Sequence, residues 1–276
     1  MAQDQSMKTM KLYDQVERIL NELHHLGIDE DAPLSVEDLT PFDQYHYHGT
    51  EAVDEAARLL GATEQTEILE IGSGIGGPAR HMAHAAKCKV TAVELQPDLS
   101  TLAEQLTGRC GLSGQVEHVC GNVLDQPLGP RTFDAIMSFL VFLHIPARAE
   151  LFSVCRSSLK PGGSMVIEDY VKLKEPSAQQ AEDLKVKVQC PYVPDMETYR
   201  QDLLNAGFVS VEMEDMSASW TAFTGERLAA YKARREHNVK VNGEELTDGL
   251  QDFYATTAGL FADGVIGGVR ILARRD

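Results

Sequence analysis

The residues best suited to chemistry lie between Glu67 and Arg80, which read Glu-Ile-Leu-Glu-Ile-Gly-Ser-Gly-Ile-Gly-Gly-Pro-Ala-Arg. A short apolar run carries an acid, Glu70, and then empties into Gly72, Ser73, Gly74, Gly76 and Gly77 ahead of a helix. Glycine is needed where φ turns positive or where a ligand comes so close that a Cβ would clash. The free N–H groups at the following helix start give such a ligand donors to approach. Gly72, Gly74 and Gly77 satisfy the G-x-G-x-x-G spacing, and Glu94 stands at the distance where dinucleotide sites place a ribose-binding acid. Two ligand classes therefore remain open. A nicotinamide dinucleotide sets its pyrophosphate on the helix start and gains nothing from a carboxylate at Glu70. S-adenosylmethionine has no phosphate and carries an α-ammonium and a sulfonium, both of which an acid at Glu70 attracts.

Further along, Lys89 to Glu94 alternates β-branched residues and ends on the acid, so Glu94 is expected to accept the ribose hydroxyls with Leu95 flanking the adenine. The segment Val116 to Cys120 runs into Gly121-Asn122-Val123. Asn122 offers an amide oxygen to a nucleobase amino group, or is a turn asparagine. Phe133 to Phe139 is followed by Leu140-Val-Phe-Leu-His144. Ligands of open α/β sheets lie beyond the carboxyl ends of the strands, so Leu140 and His144 are expected to border the reacting atoms. The intrinsic pKa of histidine suits His144 to act as a general base. Tyr47, Tyr192, Trp220 and Phe223 offer aromatic faces to a methylated ammonium, or are ordinary core residues. A His-x-His pair, His46 and His48, would direct both rings to one face of an extended segment. No third ligand accompanies it, so no metal is expected and the pair is read as lid packing or substrate contact.

These residues need a scaffold, and strand-like and helix-like patterns alternate along the chain as a doubly wound sheet requires. Strands are expected at Glu67, at 89–94, 116–120, 133–139, 164–169 and 209–216, and last at 269–273. Helices are expected at 77–86, at 151–159 and within Val193 to Phe208, which ends on a glycine cap. Lys160-Pro-Gly-Gly163 reads as the turn into the fifth strand. Leu12, Val16, Ile19, Leu20 and Leu23 form an amphipathic helix, with His24 and His25 on its solvated face. Ser219 to Tyr231 reads as a helical cover.

At 276 residues the chain holds one large, elaborated domain. No apolar run reaches membrane-spanning length and the first residues form no signal core, which predicts a cytoplasmic protein without a membrane partner. Five cysteines without a CxxC or Cys/His cluster suggest reduced thiols. A formal charge of -17 disfavours nucleic acid and leaves a small molecule as the substrate.

The acid-x-Gly-x-Gly turn, Glu94, the Asn122 loop, His144 and the Leu-Lys-Pro-Gly-Gly turn occur in order over about residues 60 to 170. In this the chain resembles the class I S-adenosylmethionine-dependent methyltransferases. The resemblance implies a Rossmann-like, doubly wound, mixed seven-stranded sheet with an N-terminal helical lid (1–50), a methyltransferase domain (51–276), and cover helices at about 174–190 and 219–263. It implies S-adenosylmethionine held by Glu70, Gly72, Ser73, Gly74, Glu94, Leu95, Asn122, Val123 and Leu140. Asp43-Gln-Tyr-His-Tyr-His-Gly49, Ser138 to His144 and the Ser-x-x-Trp helix resemble the branch of sarcosine/dimethylglycine and phosphoethanolamine N-methyltransferases. That branch implies a catalytic pair at Tyr45 and His144, with Tyr47, His48, Tyr192 and Trp220 near the substrate. The chain departs from the phosphobase pattern, since no arginine lies between Arg156 and Arg200. The reading is methyl transfer to the nitrogen of a small amine or amino acid by a monomer or homodimer. A small O-, S- or C-acceptor is the alternative within the class, and a nicotinamide-dependent oxidoreductase the alternative outside it.

Overall fold

The computed structural model describes residues 16–276. Helices α1 (Arg18–His25), α2 (Val36–Asp43) and α3 (Gly49–Leu60) precede β1 (Glu67–Ile71). Then follow α4 (Gly77–Ala86), β2 (Lys89–Glu94), α5 (Pro97–Arg109), β3 (Val116–Cys120), β4 (Phe133–Phe139), α6 (Arg148–Ser158) and β5 (Leu159–Lys172). The chain ends with α7 (Ala178–Val186), α8 (Met196–Asn205), β6 (Ser210–Asp215), α9 (Ser217–Ala233), α10 (Arg235–Asn242), α11 (Glu244–Ala262) and β7 (Ile266–Arg274).

The strands form a seven-stranded sheet in the order β3-β2-β1-β4-β5-β7-β6. All pairs from β3 to β5 are parallel, and β7 runs antiparallel between β5 and β6. Order reverses at β1, which pairs with β2 on one side and β4 on the other. That reversal opens a crevice at the carboxyl ends of the strands. One face is buried under a core that includes Leu69, Ile136, Phe142, Phe152, Tyr199 and Ile271. The other is covered by α3 and α4 through Val53, Ala56, Ala79 and Met82. Because both faces are covered, β1 and β4 are buried along nearly their whole length rather than at alternate residues.

The elements at the crevice fall where their sequence periods place them, and three elements have different bounds. The fifth strand runs through the Lys160-Pro-Gly-Gly163 segment, with a register shift against β4 between Phe133 and Ala135. Helix α6 starts at Arg148, three residues before its expected start at Leu151, and Leu159 already belongs to the strand. The last strand extends to Ile266–Arg274 because it pairs with β5 continuously from Ser164 to Lys172.

In α1, Ile19 and Leu23 are buried against Leu99, Leu102 and Leu106 of α5, each contributing about 2 kcal/mol. His24 and His25 are exposed on the opposite side. Leu12, expected on the same helix, lies outside the described residues. Helix α2 begins with a capping box between Ser35 and Asp38. It ends at Asp43, whose carboxylate lies 2.9 Å from the Arg80 guanidinium with both side chains fully buried. This pair joins the N-terminal helices to α4. No helix among the described residues is long and apolar enough to cross a membrane.

Candidate active site

The glycine turn has the conformation its composition demands. Gly72, Gly74 and Gly76 have φ of 75°, 54° and 78°. A Cβ on Gly72 would lie 2.4 Å from the Val141 methyls, and one on Gly77 only 2.3 Å from the Asp43 carbonyl oxygen. Gly74 is different, because a Cβ there would meet nothing within 4 Å. Its open side faces a cavity, which is where a ligand would approach.

Glu70 is 2 % exposed, and its Oε2 has no hydrogen-bond partner. Burial raises its pKa well above the usual carboxylate range, partly countered by Arg80. The Ser73 hydroxyl beside it is likewise buried without a partner. A buried acid in this condition fits a cationic ligand, whose charge would restore the carboxylate. Glu94 instead accepts hydrogen bonds from the Gly74 and Gln96 N–H groups, both at 2.9 Å. Each oxygen keeps a second lone pair for a ribose hydroxyl. Asn122 takes the turn role, since its Oδ1 accepts the Leu124 N–H at 3.1 Å and its Nδ2 donates to Asp125.

Two cavities meet over the glycine turn. One, of about 1510 Å³ with its open mouth, is lined by Glu94, Leu95, Asn122 and Val123. The other, of about 800 Å³, is lined by Glu70, Ser73, Leu140, Tyr45 and Tyr47. Gly72, Gly74, Val141 and His144 belong to both. Glu94, Leu95, Asn122 and Val123 thus share one chamber, Glu70, Ser73, Leu140, Tyr45 and Tyr47 share the other, and His144 stands at the junction.

His144 ends a short 3-10 turn, Phe142–His144, that follows β4. Leu140, at the start of this loop, has φ 56°, a left-handed conformation that costs a branched residue roughly 1–2 kcal/mol. The turn is secured from below, where Asp169 accepts the Leu143 N–H at 3.2 Å and hydrogen bonds from Arg148 and Tyr199. The His144 Nδ1 lies 2.8 Å from the Gln189 carbonyl oxygen, which assigns the proton to Nδ1. Burial lowers the ring's pKa to about 4, with the Gln189 bond opposing and Arg148 reinforcing the shift. The histidine is therefore neutral near pH 7 rather than titrating there. Sequence could not show this, because the burying segment around Gln189 is distant in the chain.

Tyr45 lines the smaller cavity, with the Arg18 guanidinium 4.1 Å from its ring centroid. Tyr47 and Tyr170 share a buried hydroxyl–hydroxyl hydrogen bond of 2.5 Å, and burial pushes the Tyr47 phenol up to about 12. Three expected substrate residues are placed elsewhere. Trp220 is fully buried behind Tyr47, its ring flat enough on β7 that a Cβ on Gly268 would come within 2.2 Å of it. It supports the cavity wall from outside. Tyr192 is 41 % exposed in an outer groove beside Pro146 and Arg148. The His48 Nε2 lies 2.9 Å from the Ser219 hydroxyl and its ring packs on Phe223. The His46 Nε2 bonds the Gly49 carbonyl and its ring stacks on Phe139. The segment bends at His48, at φ 58°, so the two histidines have separate partners rather than one shared face. Among the described residues no group of three His, Cys, Asp or Glu could hold a metal.

Tyr170 and Arg227 also line the cavity. Sequence reasoning missed both, although Arg227 lies four residues after Phe223 on the face of α9 that carries Thr224.

Residues 69–167 match a family model described as a methyltransferase domain. The chain carries a class I methyltransferase domain. Beyond it, the chain is 25 % identical over 232 residues to the glycine/sarcosine/dimethylglycine N-methyltransferase of Actinopolyspora halophila, covering 82 % of this chain and 41 % of that protein. It is 32 % identical over 204 residues to phosphoethanolamine N-methyltransferase 1 of Arabidopsis thaliana, covering 73 % and 40 % respectively. The chain thus spans about two fifths of the length of these relatives. Among solved structures, the methyltransferase domain resembles the phosphoethanolamine N-methyltransferase 2 of Haemonchus contortus with a TM-score of 0.79 at 21 % identity. That match covers 84 % of this chain and 54 % of the other, and shows a shared fold.

Proposed function

We propose that the protein transfers a methyl group from S-adenosylmethionine to the nitrogen of a small amine or amino acid. The observation that carries this reading is the buried Glu70 carboxyl, whose Oε2 has no hydrogen-bond partner, beside two cavities that join at Gly72, Gly74, Val141 and His144. S-adenosylmethionine, when bound, supplies an electrophilic methyl on a sulfonium. Glu70 and Ser73 would hold its α-ammonium, the glycine turn its backbone-facing side, and Glu94 its ribose. Leu95 and Val123 would flank the adenine.

The chain's own contribution to the reaction is positioning. The acceptor nitrogen must point its lone pair along the methyl–sulfur bond; as the N–C bond forms and the C–S bond breaks, the positive charge passes from sulfur to nitrogen, so geometry and exclusion of water dominate. The apolar and aromatic wall of Phe139, Leu143, Tyr45 and Tyr47 serves both ends. His144, fixed through Gln189, sits where it would touch the reacting nitrogen. With a pKa near 4 it holds the amine as a neutral partner and is too weak a base to strip an ammonium outright. The acceptor is accordingly expected to react from its own uncharged fraction.

Release of S-adenosylhomocysteine in the presence of a panel of small amines and amino acids tests the reading. Because His144 acts by orienting the acceptor, His144→Ala should retain cofactor binding while turnover falls about 100-fold. Turnover at the unchanged rate would remove His144 from the reaction, and transfer only to hydroxyl, thiol or carbon acceptors would replace nitrogen as the target.

A further inference from the structure

Arg227 stands in the wall of the acceptor cavity on α9, and it is the cavity's sole Lys or Arg among the described residues. Its guanidinium lies 4.7 Å from the Phe223 ring centroid, 5.3 Å from that of Tyr47 and 5.7 Å from that of Tyr254. One terminal nitrogen donates to the Tyr45 carbonyl at 3.4 Å and the other to the His46 carbonyl at 2.7 Å. These bonds leave Nε–H and one hydrogen on each terminal nitrogen. Arg227 makes no ion pair with any described residue. The two carboxylates of the cavity do not serve it. Asp43 is paired with Arg80, and Glu70 is assigned to the cofactor's ammonium.

A guanidinium held rigidly among aromatic rings is pre-organised for a planar anion. With a carboxylate absent from its own surroundings, that anion is missing until a ligand brings it. The same positive charge repels a plain ammonium from this wall. We infer that Arg227 binds the carboxylate of the methyl acceptor, so that the acceptor is an amino acid rather than an unsubstituted amine. This rests on the reading of the cavity as the acceptor site. A single arginine matches the single charge of a carboxylate, whereas a phosphate dianion calls for a second cation that the cavity wall lacks among the described residues.

The test is calorimetric titration of the full chain, saturated with S-adenosylhomocysteine, with sarcosine, β-alanine and 4-aminobutyrate, each beside its carboxamide, and with phosphoethanolamine. At least one carboxylate should bind roughly 10- to 100-fold tighter than its carboxamide, the range for a charge-assisted hydrogen bond. Arg227→Gln should abolish that gap and Arg227→Lys should keep part of it, while both bind S-adenosylhomocysteine as before. A bond whose only purpose is to strap the backbone at Tyr45 and His46 would change carboxylate and carboxamide binding alike. Equal binding of every pair, a gap that survives in Arg227→Gln, or preference for phosphoethanolamine would overturn the inference. Failure of S-adenosylhomocysteine to bind at all would overturn the methyltransferase reading beneath it.

Discussion

The His144 imidazole is anchored at 2.8 Å to the backbone carbonyl of Gln189, 45 residues away in the sequence, so the loop after β4 and the loop after α7 meet over the junction of the two cavities. The bond fixes the tautomer and the burial it brings fixes the protonation state. A neutral, oriented ring is thereby present throughout the physiological range.

The pH dependence of kcat/KM should show this. With a folded pKa near 4, His144 is neutral at every pH above about 5, so no inflection near 6.5 is expected from it. The rise in rate should follow the acceptor's own ammonium, shifting when an acceptor of different basicity is used. A midpoint near 6.5 that is independent of the acceptor, and lost in His144→Gln, would contradict the assignment.

Glu70 separates stability from ligand binding. Burial destabilises its carboxylate, and Arg80 counters only part of that. Glu70→Gln should leave the melting temperature of the free protein unchanged or higher. The same substitution should weaken S-adenosylhomocysteine binding by about 2 kcal/mol, roughly 30-fold. Calorimetry and thermal unfolding on the same two proteins measure both.

The glycines of the turn should divide in the same way. Gly72→Ala places a methyl against Val141 and should destabilise the fold by several kcal/mol. Gly74→Ala meets no protein atom and should cost only about 1–2 kcal/mol for its positive φ. Cofactor affinity should nevertheless fall at least tenfold in Gly74→Ala, because the added methyl occupies the ligand's approach. Equal affinities for wild type and Gly74→Ala would show that no ligand lies against this residue.

His46 offers a check on the lid. It is 4 % exposed, and burial lowers its pKa to about 4 against about 6.5 unfolded. Its folded pKa is depressed, so the unfolded chain takes up the proton first and stability is lost as pH falls from about 6.5 to 4. The contribution is about 3 kcal/mol at most. His46→Gln should flatten that part of the stability-against-pH curve in urea titrations, and an unchanged slope would place the ring in water.

What was legible in the sequence were the features set by local rules. Strands β2, β3 and β4 and helix α4 have the expected ends. The turn at Gly72 and Gly74 was legible because backbone conformation itself restricts the residue type. Aromatic residues were not, since nothing local distinguishes Tyr47, which faces the cavity, from Trp220, which packs behind it on Gly268. The pKa of His144 and the exposure of Arg227 to the cavity depend on chain segments brought together only by the fold. Asn122 had two sequence meanings, and its side chain fulfils the turn one through Leu124.

The central claim is that the joined cavities hold S-adenosylmethionine, and thermal unfolding with S-adenosylmethionine, S-adenosylhomocysteine, NAD and NADP tests it most directly. At a hundred times its dissociation constant a specific ligand stabilises by about 2.7 kcal/mol. A raised melting temperature is expected with the two adenosyl-sulfur ligands alone, and a much smaller rise with them in Glu70→Gln. A rise with a nicotinamide dinucleotide and none with either adenosyl-sulfur ligand would contradict it.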